Sequence, residues 1–379
     1  MKKIFISILF LLLIINGCTP LLIKVNSRID KNGIKMFGNI SMRNFYTKQN
    51  ISDSLKFLWE AGTHGGYANT SVTVNDSLVF ISDLTGRVYA IGLISGKEIG
   101  QIKEKGTVFG SPIIYNFWLI YALASNDENE TYFYLYDFND GKVFRQDVLK
   151  GRVLTEIVQT DDGYIMVTEK GTVYKYNISG LPQWETKLEA NVHSSPAFSS
   201  GLAIFGDDQG ELIGVNSEDG KVVYRKNIGG LFLSGASISG QAAFIGNDNG
   251  KIYSFDFQTG DILWQFDSGY RIAMTPAYDD DNIYFGNLNG DFFCLNKSDG
   301  SLIWKYHSPG VFNVTPLITN NIVLAPDLKN SIKFLDKNTG ELHMNMEIDG
   351  RPKLTPVIYN NKLIIGFDRG TLQAYEFIY

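Results

Sequence analysis

The chain has 379 residues, a formal net charge of −6, 13% aromatic residues, 38 glycines and two cysteines. An acidic balance argues against a nucleic-acid partner, and so few cysteines exclude a disulfide-built scaffold. The length is ample for a domain held together by its apolar core alone.

Lys2 and Lys3 open the chain, and Ile4 to Ile15 is an apolar run broken only by Ser7. A membrane-spanning helix needs roughly 20 apolar residues, so this shorter run reads as a signal-peptide core, residues 1–17. Ile15-Asn16-Gly17-Cys18 follows and resembles a bacterial lipobox, with Asn16 an unusual member of it. The resemblance implies acylation of Cys18 and, with Thr19 rather than Asp behind it, an outer-membrane lipoprotein facing the periplasm. Without Lys2 and Lys3, 32 basic residues stand against 40 acidic ones, and Cys294 is the only cysteine left beside the lipid-bearing one. Residues 18–54 carry little periodic pattern. Thr19 to about Lys35 reads as a mobile tether, and Met36 to Tyr46, more apolar, as a stretch lying against the domain.

Residues 55–379 are built on a repeat of about 40 residues. Pro196, Pro276, Pro316 and Pro356 share one spacing, with Ala236 between; Gly220, Gly260, Gly300 and Gly340 share it too. Gly210, Gly250, Gly290 and Gly370 form another column, and Trp184, Tyr224, Trp264, Trp304 and Met344 a fourth. The clearest unit runs from Met274 to Gly310: strands at 274–278, 283–286, 291–296 and 302–306, separated by the turn signals Asp279–Asn282, Asn289-Gly290 and Asp299-Gly300. Four short strands per unit predict an all-β propeller. Earlier units are degenerate, and the second enlarges one hairpin loop, Ser125–Glu130. The last unit, from Thr355, stops after three strands. Leu55–Glu60, carrying Trp59, looks like the missing fourth strand, so the expectation is an eight-bladed ring whose last blade is closed by the N-terminal strand. In it, each outer-strand Trp covers the next blade, and Cys294 fills a small inter-blade position.

Catalytic chemistry is hard to find. His64, His193, His307 and His343 form no metal-type pair, although His64 and His193 precede inner strands and are placed to face the channel. Ser194-Ser195 lacks a nucleophile context, and Asp279-Asp280-Asp281-Asn282 reads as a solvated turn rather than a calcium loop. No cofactor or metal is expected. The connections before the inner strands are better binding candidates, since loops on a rigid ring are where such folds carry recognition. Their middle residue is nearly always apolar and reads as a wedge between blades, as in Tyr67-Ala68-Asn69 or Leu231-Phe232-Leu233. Arg152, Arg271, Arg351 and Lys353 would place positive charge on one rim of an acidic, monomeric ring, and His193 stands with them as a candidate partner-binding residue.

Ser254-Phe255-Asp256-Phe257-Gln258-Thr259-Gly260-Asp261-Ile262-Leu263-Trp264, and again Cys294 to Trp304, resemble the pyrroloquinoline-quinone-type propeller repeat. With the lipobox, the length and the blade count, the chain is similar to the BamB family, the lipoproteins of the outer-membrane β-barrel assembly machine. That resemblance implies a non-enzymatic scaffold whose loops at one mouth engage a protein partner of that machine. Two alternatives stand beside it: an envelope lipoprotein propeller binding another protein, saccharide or small ligand, and a quinone-dependent dehydrogenase, whose adjacent-cysteine disulfide and calcium ligands have no counterpart here.

Overall fold

The computed structural model describes residues 22–379; the signal segment and Cys18 lie outside them. Among the described residues the strands form eight four-stranded antiparallel sheets. Seven are built from four consecutive strands; blade 1, for example, comprises Thr73–Asn75, Leu78–Ser82, Arg87–Gly92 and Glu98–Lys103. Blade 8 takes Val357–Tyr359, Lys362–Phe367 and Thr371–Phe377 from the C-terminus and its outer strand, Leu55–Gly62, from the N-terminus. Trp59 pairs with Ala374 and Leu55 with Phe377, so the ring closes as its sequence implies.

Burial follows from the packing. The second and third strands of each blade have a neighbouring blade on both faces, and runs such as Leu202–Gly206 are buried throughout. The outer strand has water on one side, and Ile262–Asp267 alternates accordingly.

The joint between blades is one recurring device. In four blades a ring at the Trp column lies opposite a small residue of the third strand: Trp304 opposite Cys294, Trp264 opposite Ser254, Tyr224 opposite Gly214 and, in blade 8, Trp59 opposite Ala374. The ring crosses to the next blade. The indole N–H of Trp264 donates to the Lys297 carbonyl at 3.1 Å and that of Trp304 to the Lys337 carbonyl at 2.9 Å. Each ring lies against the turn glycine three residues further on, where a Cβ on Gly300 would come within 2.6 Å of Trp264 and one on Gly340 equally close to Trp304. The seam is made the same way: Trp59 donates to the Leu93 carbonyl at 2.9 Å and covers Gly96 of blade 1. Cys294 is buried, and burial pushes its thiol up to about 12, which makes it a packing residue.

The wedges also form. Val108, Val153, Val192, Phe232, Ile272 and Phe312 are buried. Phe232, Ile272 and Phe312 press on Gly206, Gly246 and Gly286, glycines that end the preceding blade's second strand. In the first unit the wedge is Tyr67, with Ala68 only half-buried, because that entry is shifted by one residue.

The expected tether is different. From Leu22 onward the chain is a strap across one mouth of the ring. Val25 bonds to Phe138 of blade 2 and Ile34 pairs with Val74 of blade 1; the carbonyls of Lys35, Ser41, Met42 and Phe45 accept from Ile114, Phe198, Ile238 and Ile318. Blades 2, 4, 5 and 7 are thus tied in succession, before Ser54 takes the N–H of Ile378. Unpaired inner-strand edges at the ring mouth offer N–H groups that need partners, and the strap supplies them.

Candidate binding face: a blind channel and its rim

The strap makes the central channel a cup. Phe37 lies at its base, and a cavity of about 380 Å³ opens above, lined from all eight blades by residues including Tyr67, Phe109, Leu154, His193, Leu233, Met274, Asn313 and Lys353. At its waist runs one position per blade, the residue before the Pro column: Ser71, Ser111, Glu156, Ser195, Gly235, Thr275, Thr315 and Thr355. Seven are small; Glu156 is the exception.

Glu156 is buried, accepts from the Ser111 backbone N–H at 2.8 Å, and is hydrogen-bonded by the Thr70 hydroxyl. Burial pushes its carboxyl up to about 7, against the opposing pull of Arg43, Thr70 and Ser111. Arg43, from the strap beneath, is also fully buried. Its guanidinium donates to the carbonyls of Phe37 at 2.8 Å, Pro196 at 3.0 Å and Ile157 at 3.0 Å and sits 5.5 Å over the Phe37 ring. Burial brings it down to about 10, with Glu156 holding it up. A buried cation is tolerated when its donors are satisfied and a carboxylate stands near, and here that requirement ties the strap to blades 3 and 4.

The rim residues occupy the open mouth in three different ways. His193 and Lys353 line the cavity, and His193 Nδ1 lies 3.0 Å from both carboxylate oxygens of Asp208. Arg271 and Arg351 are exposed and form no ion pair among the described residues; their backbones are held by Leu288 and Asp368, whose N–H groups donate to the two carbonyls at 2.9 and 2.8 Å. Arg152 is half-buried, with its Nε enclosed and without a partner. His64 does not reach the cavity; its backbone N–H donates to the Tyr89 hydroxyl at 3.0 Å. Asp279, expected in a solvated turn, is buried and pairs with Lys337 of blade 7 at 3.0 Å. Burial would raise its carboxyl, but the Asp281 and Asn282 amides and Lys337 outweigh that and hold it below the usual carboxylate range.

A second feature at the open mouth comes from the enlarged loop of blade 2. Ser125, Asn126, Asp127 and Glu128 face Lys103, Glu104 and Lys105 of blade 1 across a groove of about 1000 Å³. Glu156 and this groove were missed as sites because both lie in degenerate units. Aligning the waist column by unit would have shown one carboxylate among hydroxyls.

Residues 129–265 and 248–377 match the PQQ-repeat family model described as "Outer membrane protein assembly factor BamB". The chain belongs to this BamB family. A curated relative, the outer membrane protein assembly factor BamB of Yersinia pestis, is 25% identical over 189 residues, 45% of this chain and 48% of that protein; the chain spans about half the length of the curated relative it matches. The crystal structure of BamB from Moraxella catarrhalis superposes with a TM-score of 0.71 at 15% identity, over 86% of this chain and 100% of that one. Quinohemoprotein alcohol dehydrogenase from Comamonas testosteroni superposes with a TM-score of 0.76 at 10% identity, over 91% of this chain and 80% of that one. Identities this low carry the propeller fold and nothing finer.

The channel does not offer the donors that a quinone cofactor with calcium would need. Its waist holds one carboxylate, already taken by Thr70 and Ser111 and faced by the Arg43 cation. That donor set does not suit a calcium–quinone pair, and no group of three His, Cys, Asp or Glu side chains able to hold a metal occurs among the described residues.

Proposed function

We propose that this protein is a lipid-anchored, non-enzymatic scaffold of the outer membrane, facing the periplasm and serving outer-membrane protein assembly, as the BamB family name states, with β-barrel proteins as its clients. Family membership carries the reading. The geometry supports it: the strap closes one mouth with buried groups, while the other presents the cations Arg271, Arg351 and Lys353 and the groove beside the blade 2 loop. Rigid rings with irregular loops on one face suit protein docking rather than turnover. Acylated Cys18 would hold the ring at the membrane.

The test is crosslinking in native membranes followed by purification of the detergent-extracted lipoprotein. A β-barrel assembly subunit is expected in the crosslinked product, and Arg271→Glu with Arg351→Glu is expected to remove it. Crosslinks only to other envelope components would replace this reading with the alternative of a binding propeller for another partner.

A further inference from the structure

The first described residues of the strap lie in the cleft between blades 1 and 2, on the closed side of the ring. Ile23 is buried there and its carbonyl accepts from the Tyr136 hydroxyl at 2.8 Å, while Val25 donates to the Phe138 carbonyl at 2.8 Å. Leu22, one residue earlier, is exposed. Cys18 is only four residues before it, at most about 14 Å of extended chain. A bilayer holding acyl chains on Cys18 is therefore within that distance of this corner of the ring, whatever path the intervening residues take.

The corner has the chemistry of a membrane-resting surface. Val143 and Phe144 are exposed at the start of the blade 2 outer strand, and Phe144 stacks on half-buried Trp118 with ring centroids 4.6 Å apart. Lys24, against Gly141, and Lys142 are exposed beside them, and Arg28 and Lys31 are exposed further along the strap, where it crosses the inner strands of blades 1 and 8. The acids nearby are engaged: Asp140 with Lys142, and Asp30 with the Tyr359 hydroxyl. Aromatic and aliphatic side chains flanked by cations partition to the headgroup boundary of anionic bilayers, where each cation adds attraction. From Leu22 to Lys31 the strap carries Lys24, Arg28 and Lys31 against Asp30 alone, a local excess of positive charge on a chain whose net charge is −6, while Lys142 is balanced by Asp140. Blade 6, four blades away, exposes Leu302 and Ile303 at the equivalent positions but has no anchor within reach, so it serves as an internal control.

We infer that the ring rests on its own membrane through this corner, with Leu22, Val143, Phe144 and Trp118 at the headgroup boundary and Lys24, Arg28, Lys31 and Lys142 over anionic phospholipid. The inference rests on acylation of Cys18. It fixes which way the open mouth points, since the closed face is turned toward the bilayer edge and the rim away from it.

The experiment uses the full lipoprotein purified from membranes and reconstituted into phosphatidylethanolamine–phosphatidylglycerol vesicles, with a fluorophore on Val143→Cys or on Leu302→Cys and nitroxide-bearing lipids as quencher. Quenching is expected to be about three-fold or more stronger at Val143→Cys, and to fall when Arg28→Glu and Lys31→Glu are added with the thermal midpoint unchanged. Equal quenching at both sites in a protein shown by mass to be acylated would overturn this surface and leave the anchor standing. A mass without acyl chains would overturn both. Strong protection of Val143→Cys from quencher, with crosslinks there to a protein, would assign the corner to a protein partner and overturn the lipid assignment.

Discussion

Blades 3 to 6 and blades 1 and 2 solve the same joining problem differently. In the first group Trp184, Tyr224, Trp264 and Trp304 each cross to the next blade and cap a backbone carbonyl and a turn glycine there. Blade 1 has Gly100 at that column, opposite Ala90, and nothing to cross with. The strap fills the gap. The Val25 N–H takes the Phe138 carbonyl, the equivalent of the carbonyls the indoles take elsewhere, and Lys24 lies against Gly141, where a Cβ would come within 2.9 Å of its own. Blade 2 has Arg145 in place of Trp, packed on Gly180 with Leu135. Regular blades carry their joints within the repeat; blade 2 keeps the position but changes the side chain, and blade 1 borrows its joint from the strap, far away in sequence.

The sharpest way to break this comparison is to remove the borrowed strand at the seam. Deleting residues 55–62 leaves blade 8 with three strands and blade 1 without Trp59, and is expected to abolish cooperative unfolding, read by near-ultraviolet circular dichroism. Trp264→Ala, in the regular half, is expected to cost about 3–5 kcal/mol in denaturant titration, from the lost ring and the cavity left between blades 5 and 6.

Glycines at the joints sharpen it. Gly300→Ala sets a Cβ 2.6 Å from the Trp264 ring at a residue with φ of 72°, a strained backbone against a rigid neighbour, and is expected to cost about 2–3 kcal/mol. Gly141→Ala, at φ of 74°, meets the Lys24 Cβ at 2.9 Å, which yields only if the end of the strap shifts with it, so its cost is expected at about 1–2 kcal/mol. Equal costs at the two positions would mean that strap and Trp joints are equally rigid.

Glu156 gives a pH signature of the strap joint. Its folded-state carboxyl is raised to about 7 from 4.5, so the folded protein holds the proton more tightly than the unfolded chain. The stability this contributes is complete below pH 4.5 and is lost as pH rises through 7, by no more than about 3 kcal/mol. Glu156→Gln is expected to flatten that part of the stability profile measured between pH 4.5 and 8. At the small end, Arg271→Glu with Arg351→Glu is expected to change stability by less than about 0.5 kcal/mol, because both side chains are exposed.

Blade count, seam, Trp joints and the place of Cys294 were legible in the sequence because each rests on a residue type recurring at one spacing. A further column, Gly206, Gly246, Gly286 and Gly366, was equally visible; Phe232, Ile272 and Phe312 land on its first three members, while Gly366 is covered by Leu354 of its own blade. Of the strap, the apolar half from Met36 to Tyr46 was legible, with Phe37 and Phe45 buried at 4% and 3% exposure; residues 22–35 were not, since their ties are backbone hydrogen bonds to the blades and leave no periodic trace. Glu156 escaped because its unit breaks the Pro column with Ile157, and the rim cations were found by position but not by partner, as Arg152 turned inward while Arg271 and Arg351 stayed in water.

Native-state hydrogen exchange on the full-length protein reads the strap directly. The amides of Val25 and Val74, bonded to the Phe138 and Ile34 carbonyls at 2.8 Å each, are expected to exchange as slowly as those of the inner strands they join. Exchange at the rate of free chain at both positions, with the blades still protected, would contradict the strap as a working part of the ring.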